Sequence, residues 1–208
     1  MTVLCGHFVP ATIACNGDST CIGSEPTYVG WGARLFWRYL PSSIWLNDGI
    51  AGATTTTYLA SNLAASLAHK ATHHIIQFGI NDQKDDAGHV TEEQYAINLA
   101  SFAAQIVANG GVPIFITPHR TNEWDGAVVT EELATYAAAM VAYAAGAGYA
   151  CFDLYAMMKP LMEAIGQATW DATYAVGSHH FTEAGAVYVC GLISAGLAYS
   201  PIGYRIES

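Results

Sequence analysis

Five short apolar runs, set apart by stretches of helical pattern, constrain this chain more than any other feature. They cover residues 9–15, 44–46, 73–78, 112–116 and 149–152. Each is too short for a stable helix and largely apolar along its length, the pattern of a strand covered on both faces of a sheet. Between them, Thr91 with Gln94 reads as a capping box, Leu99, Phe102, Ala103 and Ile106 fall on one helical face, and Asn109-Gly110-Gly111 is the stop. Thr130 ahead of Glu131 and Glu132 reads as another helix start, with acids at the positive end of the dipole, and Thr54 to Thr57 as a third. The uncharged stretch 184–201 is rich in Gly and Ala and reads as a buried terminal helix in preference to a membrane span. Strands alternating with helices in this way build βαβ units around a parallel sheet, so the expected class is α/β. With no linker, repeat or low-complexity tract, and a hydrophobic share of 52%, one domain over residues 1–208 is expected.

Charge narrows the partners. Seven Lys and Arg against seventeen Asp and Glu give a formal net charge of −10, which repels phosphate backbones and anionic lipid surfaces. Nucleic acid is therefore not an expected partner. Charged residues are only 12% of the chain, and twelve Tyr and five Trp suit neutral or weakly polar ligands such as sugars, although aromatics are more often simply core. The cysteines, Cys5, Cys15, Cys21, Cys151 and Cys190, are odd in number and form no Cys-x-x-Cys, so neither a full disulfide framework nor a zinc knuckle is implied. Cys15 and Cys21 flank Ser19 and read equally as a pair or as two buried thiols. No signal peptide is visible, which leaves a soluble protein, either secreted with its leader removed or cytoplasmic. His73 and His74 point to opposite faces of a strand, there is no His-Glu-x-x-His, and Gly30-Trp31-Gly32 lacks the third glycine of a dinucleotide loop. No cofactor and no metal are expected.

Four segments, in order, carry the chemistry. Gly17-Asp18-Ser19-Thr20 closes the first apolar run, and alone it is ordinary turn chemistry. Asn47-Asp48-Gly49-Ile50-Ala51-Gly52 follows the second, Phe78-Gly79-Ile80-Asn81-Asp82 closes the third, and His180 lies after the fifth with Ala184-Gly185-Ala186 behind it. The carboxyl ends of strands in an open α/β sheet form the ligand crevice, so these segments are expected to converge. A serine hydroxyl attacks well only when a base takes its proton; Ser19 is the candidate nucleophile and His180 the candidate base. The backbone N–H groups of Ser19 and Gly52 and the Asn81 amide are candidate oxyanion donors, of a kind worth roughly 3 to 4 kcal/mol each in a transition state. A glycine at 52 is expected to let backbone approach substrate closely. Asp18 is expected to brace the turn and Asp82 to accept backbone bonds beside Asn81. Loop 118–127, with His119, Arg120, Asn122, Glu123, Trp124 and Asp125, reads equally as crevice wall or solvated loop.

Together these blocks resemble those of the SGNH hydrolase superfamily, also called the GDSL family, and most closely its rhamnogalacturonan acetylesterase-like carbohydrate esterase branch. The resemblance implies a flavodoxin-like three-layer αβα sandwich whose five parallel strands run in the order 2-1-3-4-5. It implies removal of short acyl groups, often acetyl, from sugars or other small esters through an acyl-enzyme on Ser19. The chain departs from the family at Gly177. Members usually carry Asp three residues before the catalytic His, and here the stretch is Gly177-Ser178-His179-His180. In a trypsin-type triad, losing the acid costs about 10⁴ in rate. Three readings stay open: a Ser-His dyad with another group orienting His180, a weakened enzyme in which Gly177 is a drifted or introduced substitution, or a silent carbohydrate-binding protein of the same fold. Asp171 and Asp153 are candidate substitutes that spacing does not place.

Overall fold

The computed structural model describes residues 11–23, 25–35 and 44–198. In chain order the elements are β1 Thr12–Gly17, α1 Gly32–Leu35, β2 Ile44–Asn47, α2 Thr55–Ser61, α3 Leu63–Ala68, β3 His73–Gln77, α4 Glu92–Ala108 and β4 Val112–Ile116. There follow β5 Trp124–Asp125, β6 Val128–Val129, α5 Ala134–Ala147, β7 Ala150–Phe152, α6 Leu154–Ile165, α7 Gln167–Thr173, β8 Ala175–Val176, β9 His180–Phe181 and α8 Glu183–Ala198. Five strands form one sheet in the order β2-β1-β3-β4-β7, every pair parallel. This is the 2-1-3-4-5 order expected, with β7 as its fifth strand.

The central strands are buried because both faces of the sheet are covered, and their apolar residues divide between the two layers. Ile13, Cys15, Ile75, Ile114 and Ile116 face one cluster, completed by Leu154, Met158 and Met162 of α6, Trp170 of α7 and Val189 and Ile193 of α8. Ile76 and Phe115 face the other, with Tyr58, Leu63, Leu99, Phe102, Ile106 and Met140 from α2 to α5. Adjacent residues such as Ile75 and Ile76 thus serve opposite layers, and the result is a three-layer αβα fold.

Local start signals explain several helix boundaries. Thr54 caps α2 and closes a full box with Thr57. At α4 the box is half closed: Thr91 accepts from the Gln94 N–H at 3.2 Å, but the Gln94 side chain turns to Asn98 Oδ1 at 2.9 Å. The start expected at Thr130 falls instead at Ala134, with Leu133 as an N-cap that makes no side-chain bond. Thr130 is held by the Glu123 carbonyl through its N–H at 2.9 Å and its hydroxyl at 3.3 Å, while Glu131 is drawn away to Arg120 and Lys159. Helix α8 fills most of the terminal stretch expected to be helical; residues 9, 10 and 199–201 lie outside the described part of the chain.

Candidate active site

The first segment turns sharply where β1 ends. A Cβ on Gly17 would lie 2.2 Å from Cys21 Sγ and 2.8 Å from the Gln77 carbonyl oxygen, so only glycine fits. Asp18 braces the turn by accepting at Oδ1 from the Thr20 N–H at 2.9 Å and the Thr20 hydroxyl at 2.8 Å. Gln77, the last residue of β3, bolts the turn to the next strand. Its Oε1 lies 3.1 Å from the Thr20 hydroxyl and accepts from Trp31 Nε1 at 3.0 Å. Burial pushes the Asp18 carboxyl up to about 6, against the Thr20 bonds that lower it. Cys15 and Cys21 are both buried as free thiols.

The second segment folds back over β1, with the Asp48 N–H on the Cys15 carbonyl at 2.9 Å and the Ile50 N–H on the Gly17 carbonyl at 3.0 Å. Gly52 is exposed, and its φ is +73°. A Cβ there would meet no protein atom within 4 Å, so within the chain the glycine answers to its left-handed backbone, and the open space leaves its N–H accessible to a ligand. Asn81, buried just beyond β3, donates from Nδ2 to the Ala53 carbonyl at 3.0 Å, which ties the Gly52 loop to the neighbouring strand. Its Oδ1 accepts from Lys84 Nζ at 2.6 Å, which fixes the amide and leaves one Nδ2 hydrogen for a ligand. Among the described residues the backbone N–H groups of Ser19 and Gly52 have no partner. Asp82, beside Asn81, accepts a backbone bond as expected, from the Thr55 N–H at 2.9 Å, and so serves the start of α2.

His180 comes from a small antiparallel hairpin in which β8 pairs with β9 and Val176 faces His180. Its Nε2 lies 3.0 Å from Ser19 Oγ, across 161 residues of sequence. Tyr28 lies flat against the imidazole, ring centroids 4.0 Å apart and planes 16° apart. The hairpin is pinned from three sides. The Val29 N–H donates to the Phe181 carbonyl at 3.0 Å, His119 Nε2 to the His179 carbonyl at 3.1 Å, and the Asn122 N–H to the Ser178 carbonyl at 2.5 Å. Partial burial, aided by His179 and Lys84, lowers His180 to about 4, so the ring is neutral at pH 7.

Gly177 occupies the hairpin turn, exposed, with φ +61° and open space where a Cβ would stand. Neither candidate acid bonds to His180. Asp171 accepts from Asn122 Nδ2 at 2.7 Å, and Asp153 caps α6 through the Ala156 N–H at 3.0 Å. Among the described residues Nδ1 of His180 has no hydrogen-bond partner.

Loop 118–127 is neither plain crevice wall nor solvated loop. His119 and Arg120 are buried, and Arg120 is spent on the Tyr155 and Thr130 carbonyls and on Glu131. Trp124 begins a second hairpin, its indole N–H on Asn122 Oδ1 at 2.8 Å. Among the described residues no group of three His, Cys, Asp or Glu is arranged to hold a metal ion, and no helix is long and apolar enough to cross a membrane. Two site neighbours escaped the sequence reading: Tyr28 and Lys84 carry no motif or spacing that announces them.

The sequence model of the GDSL-like lipase/acylhydrolase family matches residues 15–187, a span that takes in all four segments. The chain belongs to this family. Solved structures share the GDSL-type fold. Protein YXIM from Bacillus subtilis matches with a TM-score of 0.80 at 22% identity over 91% of this chain, which spans only 56% of that one. A lipase/acylhydrolase from Enterococcus faecalis matches at 0.65 and 20% identity, over 90% of this chain and 95% of that one. Axe2, an acetylxylan esterase from Geobacillus stearothermophilus, matches at 0.71 and 18% identity, over 95% and 94%. No curated protein sequence matches the chain. In a GDSL-type acylhydrolase fold, then, a hydroxyl, a neutral imidazole and three available N–H donors stand at one edge of the sheet, a set suited to acyl transfer.

Proposed function

We propose that this chain is a serine esterase that removes short acyl groups, acetyl foremost, from carbohydrate, working with a Ser19-His180 dyad. The observation that carries this reading is the 3.0 Å contact between Ser19 Oγ and Nε2 of a neutral His180. As Oγ attacks the ester carbonyl carbon, Nε2 takes the hydroxyl proton and the carbonyl electrons move onto oxygen. The oxyanion is received by the N–H groups of Ser19 and Gly52 and by Asn81 Nδ2. The intermediate collapses, the imidazolium returns its proton to the departing sugar oxygen, and acyl-Ser19 remains. Water, deprotonated by His180, then releases the carboxylic acid and restores Ser19.

Lys84 supports the same reading, because its ammonium on Asn81 Oδ1 makes the amide a firmer N–H donor. The sugar ester as substrate is supported by the low charge and the aromatic content of the chain and by the fold shared with an acetylxylan esterase. Transfer of the acyl group to a sugar hydroxyl would use the same residues, and product analysis with a sugar acceptor separates it from hydrolysis.

Acetate release from an aryl acetate and from an acetylated xylo-oligosaccharide tests the proposal. The wild-type chain is expected to turn over both, and His180→Ala to lose at least about 10³ in kcat. Saturable sugar binding without turnover would replace the esterase by the silent carbohydrate-binding protein.

A further inference from the structure

We propose that Tyr28 is a positioning residue for His180, holding the imidazole plane by ring stacking in a chain with no carboxylate at position 177. The inference rests on His180 being the base. An imidazole that reaches Ser19 with Nε2 must be kept from turning about its own bonds. A triad does this by bonding Nδ1, and here Gly177 has no side chain to do so while Asp171 and Asp153 are bound elsewhere. What touches the ring instead is the face of Tyr28 at 4.0 Å, tilted by only 16°. Rotation of the imidazole out of its plane would drive its edge into the phenol.

Tyr28 can serve in this way because its loop is tied to both partners of the dyad. One residue on, the Val29 N–H donates to the Phe181 carbonyl, next to His180, at 3.0 Å. Three residues on, the Trp31 N–H donates to the Thr20 carbonyl, next to Ser19, at 2.9 Å. On the other side the Glu25 N–H closes onto the Tyr28 carbonyl at 2.9 Å. Between these, Gly30 is packed so closely that a Cβ would sit 1.9 Å from the Ile22 carbonyl oxygen, which keeps the loop against the nucleophile turn. The stretch 28–31 is therefore a strap between serine and histidine, with the stacked ring at one end. The groups that face or act on His180 are Ser19, Tyr28, His179 and, through its charge, Lys84. The phenol is kept neutral at working pH by burial, with Glu25 and Asp18 adding to the effect.

The test compares Tyr28→Leu, which keeps bulk but has no ring, with Tyr28→Phe, which keeps the ring. For Tyr28→Leu we expect kcat on an aryl acetate to fall about tenfold with KM within about twofold. The acid limb of kcat/KM should also move to higher pH as the imidazole gains water. Tyr28→Phe should restore kcat to within about twofold. A Leu variant equal to wild type, or a Phe variant as impaired as Leu, overturns the proposal. Proton NMR gives a readout independent of turnover: the carbon-bound His180 ring protons should be shifted upfield in wild type and Tyr28→Phe and lose that shift in Tyr28→Leu. An unchanged shift in Tyr28→Leu also overturns it. Failure of wild type and Ser19→Ala to differ in turnover rejects the esterase reading, and the NMR comparison still decides the stack.

Discussion

Asn81 and Lys84 make up the part of the site in which a single atom matters most. Because Lys84 Nζ holds Asn81 Oδ1, the amide cannot flip, and Nδ2 stays on the side of the Ala53 carbonyl. In Lys84→Met the amide loses its polarising partner, and kcat should fall by about threefold to tenfold, within what a charge-assisted hydrogen bond is worth. The ammonium also disfavours the imidazolium, so its removal should raise the pKa of His180 and move the acid limb of kcat/KM to higher pH. A pH profile of the variant that coincides with the wild-type one contradicts this role. Ser19, Gly52, Asn81 and His180 were legible in the sequence because each sits in a short block at a definite place relative to an apolar run. Tyr28 and Lys84 were not, since a stacked ring or a single ammonium leaves no periodic trace. At Gly52 the structure adds a second reason for glycine, a φ of +73°, that no sequence pattern reports.

Among the elements, the β8–β9 hairpin bears most on the absent acid. Its turn is held at Gly177 and Ser178 by Asn122, whose Nδ2 also reaches the Gly177 carbonyl at 3.3 Å and whose N–H takes the Ser178 carbonyl. Gly177→Asp meets no steric obstacle, but a non-glycine residue at φ +61° costs about 1 kcal/mol. If strap and hairpin already fix His180, the substitution should change kcat by less than about tenfold and lower the melting temperature by about 2 to 4 °C. A gain of several orders of magnitude would mean that the ring is poorly held without a carboxylate. The large strands were readable because burial on both faces places short apolar runs such as Ile75-Ile76 and Ile114-Phe115-Ile116 in them. The short hairpins were not, because two-residue strands are set by contacts such as Asn122 on Ser178 that connect distant parts of the chain. The start of α5 was misplaced for a related reason: Glu131, an apparent first-turn acid, is taken by the buried Arg120.

For the molecule as a whole, the three-layer packing that assembles the site also buries imidazoles, and this sets its response to acid. Burial lowers His74 and His180 to about 4 and His119 to about 3, from an ordinary value of 6.5. As pH falls below 6.5 the unfolded chain takes up protons that the folded chain refuses, so stability present above 6.5 is lost down to about 4. Asp18, raised to about 6, and Asp82, also raised, act in the opposite sense, since their contribution is lost as pH rises through their folded values. The three imidazoles outweigh these two carboxyls, and the melting temperature should be lower at pH 4.5 than at pH 7; thermal unfolding followed across that range checks it. The α/β class and strand order were legible from the alternation of runs, together with the resemblance, whereas this acid response depends on burial that no local pattern reports. The central claim, that Ser19 is the nucleophile, is tested most directly by peptide-mapped mass spectrometry after reaction with a serine-directed phosphonate ester. The account predicts a single adduct on Ser19 of the wild-type chain, none in Ser19→Ala, and loss of aryl acetate turnover in step with labelling. An adduct on another residue, or undiminished acetate release by Ser19→Ala, would contradict it.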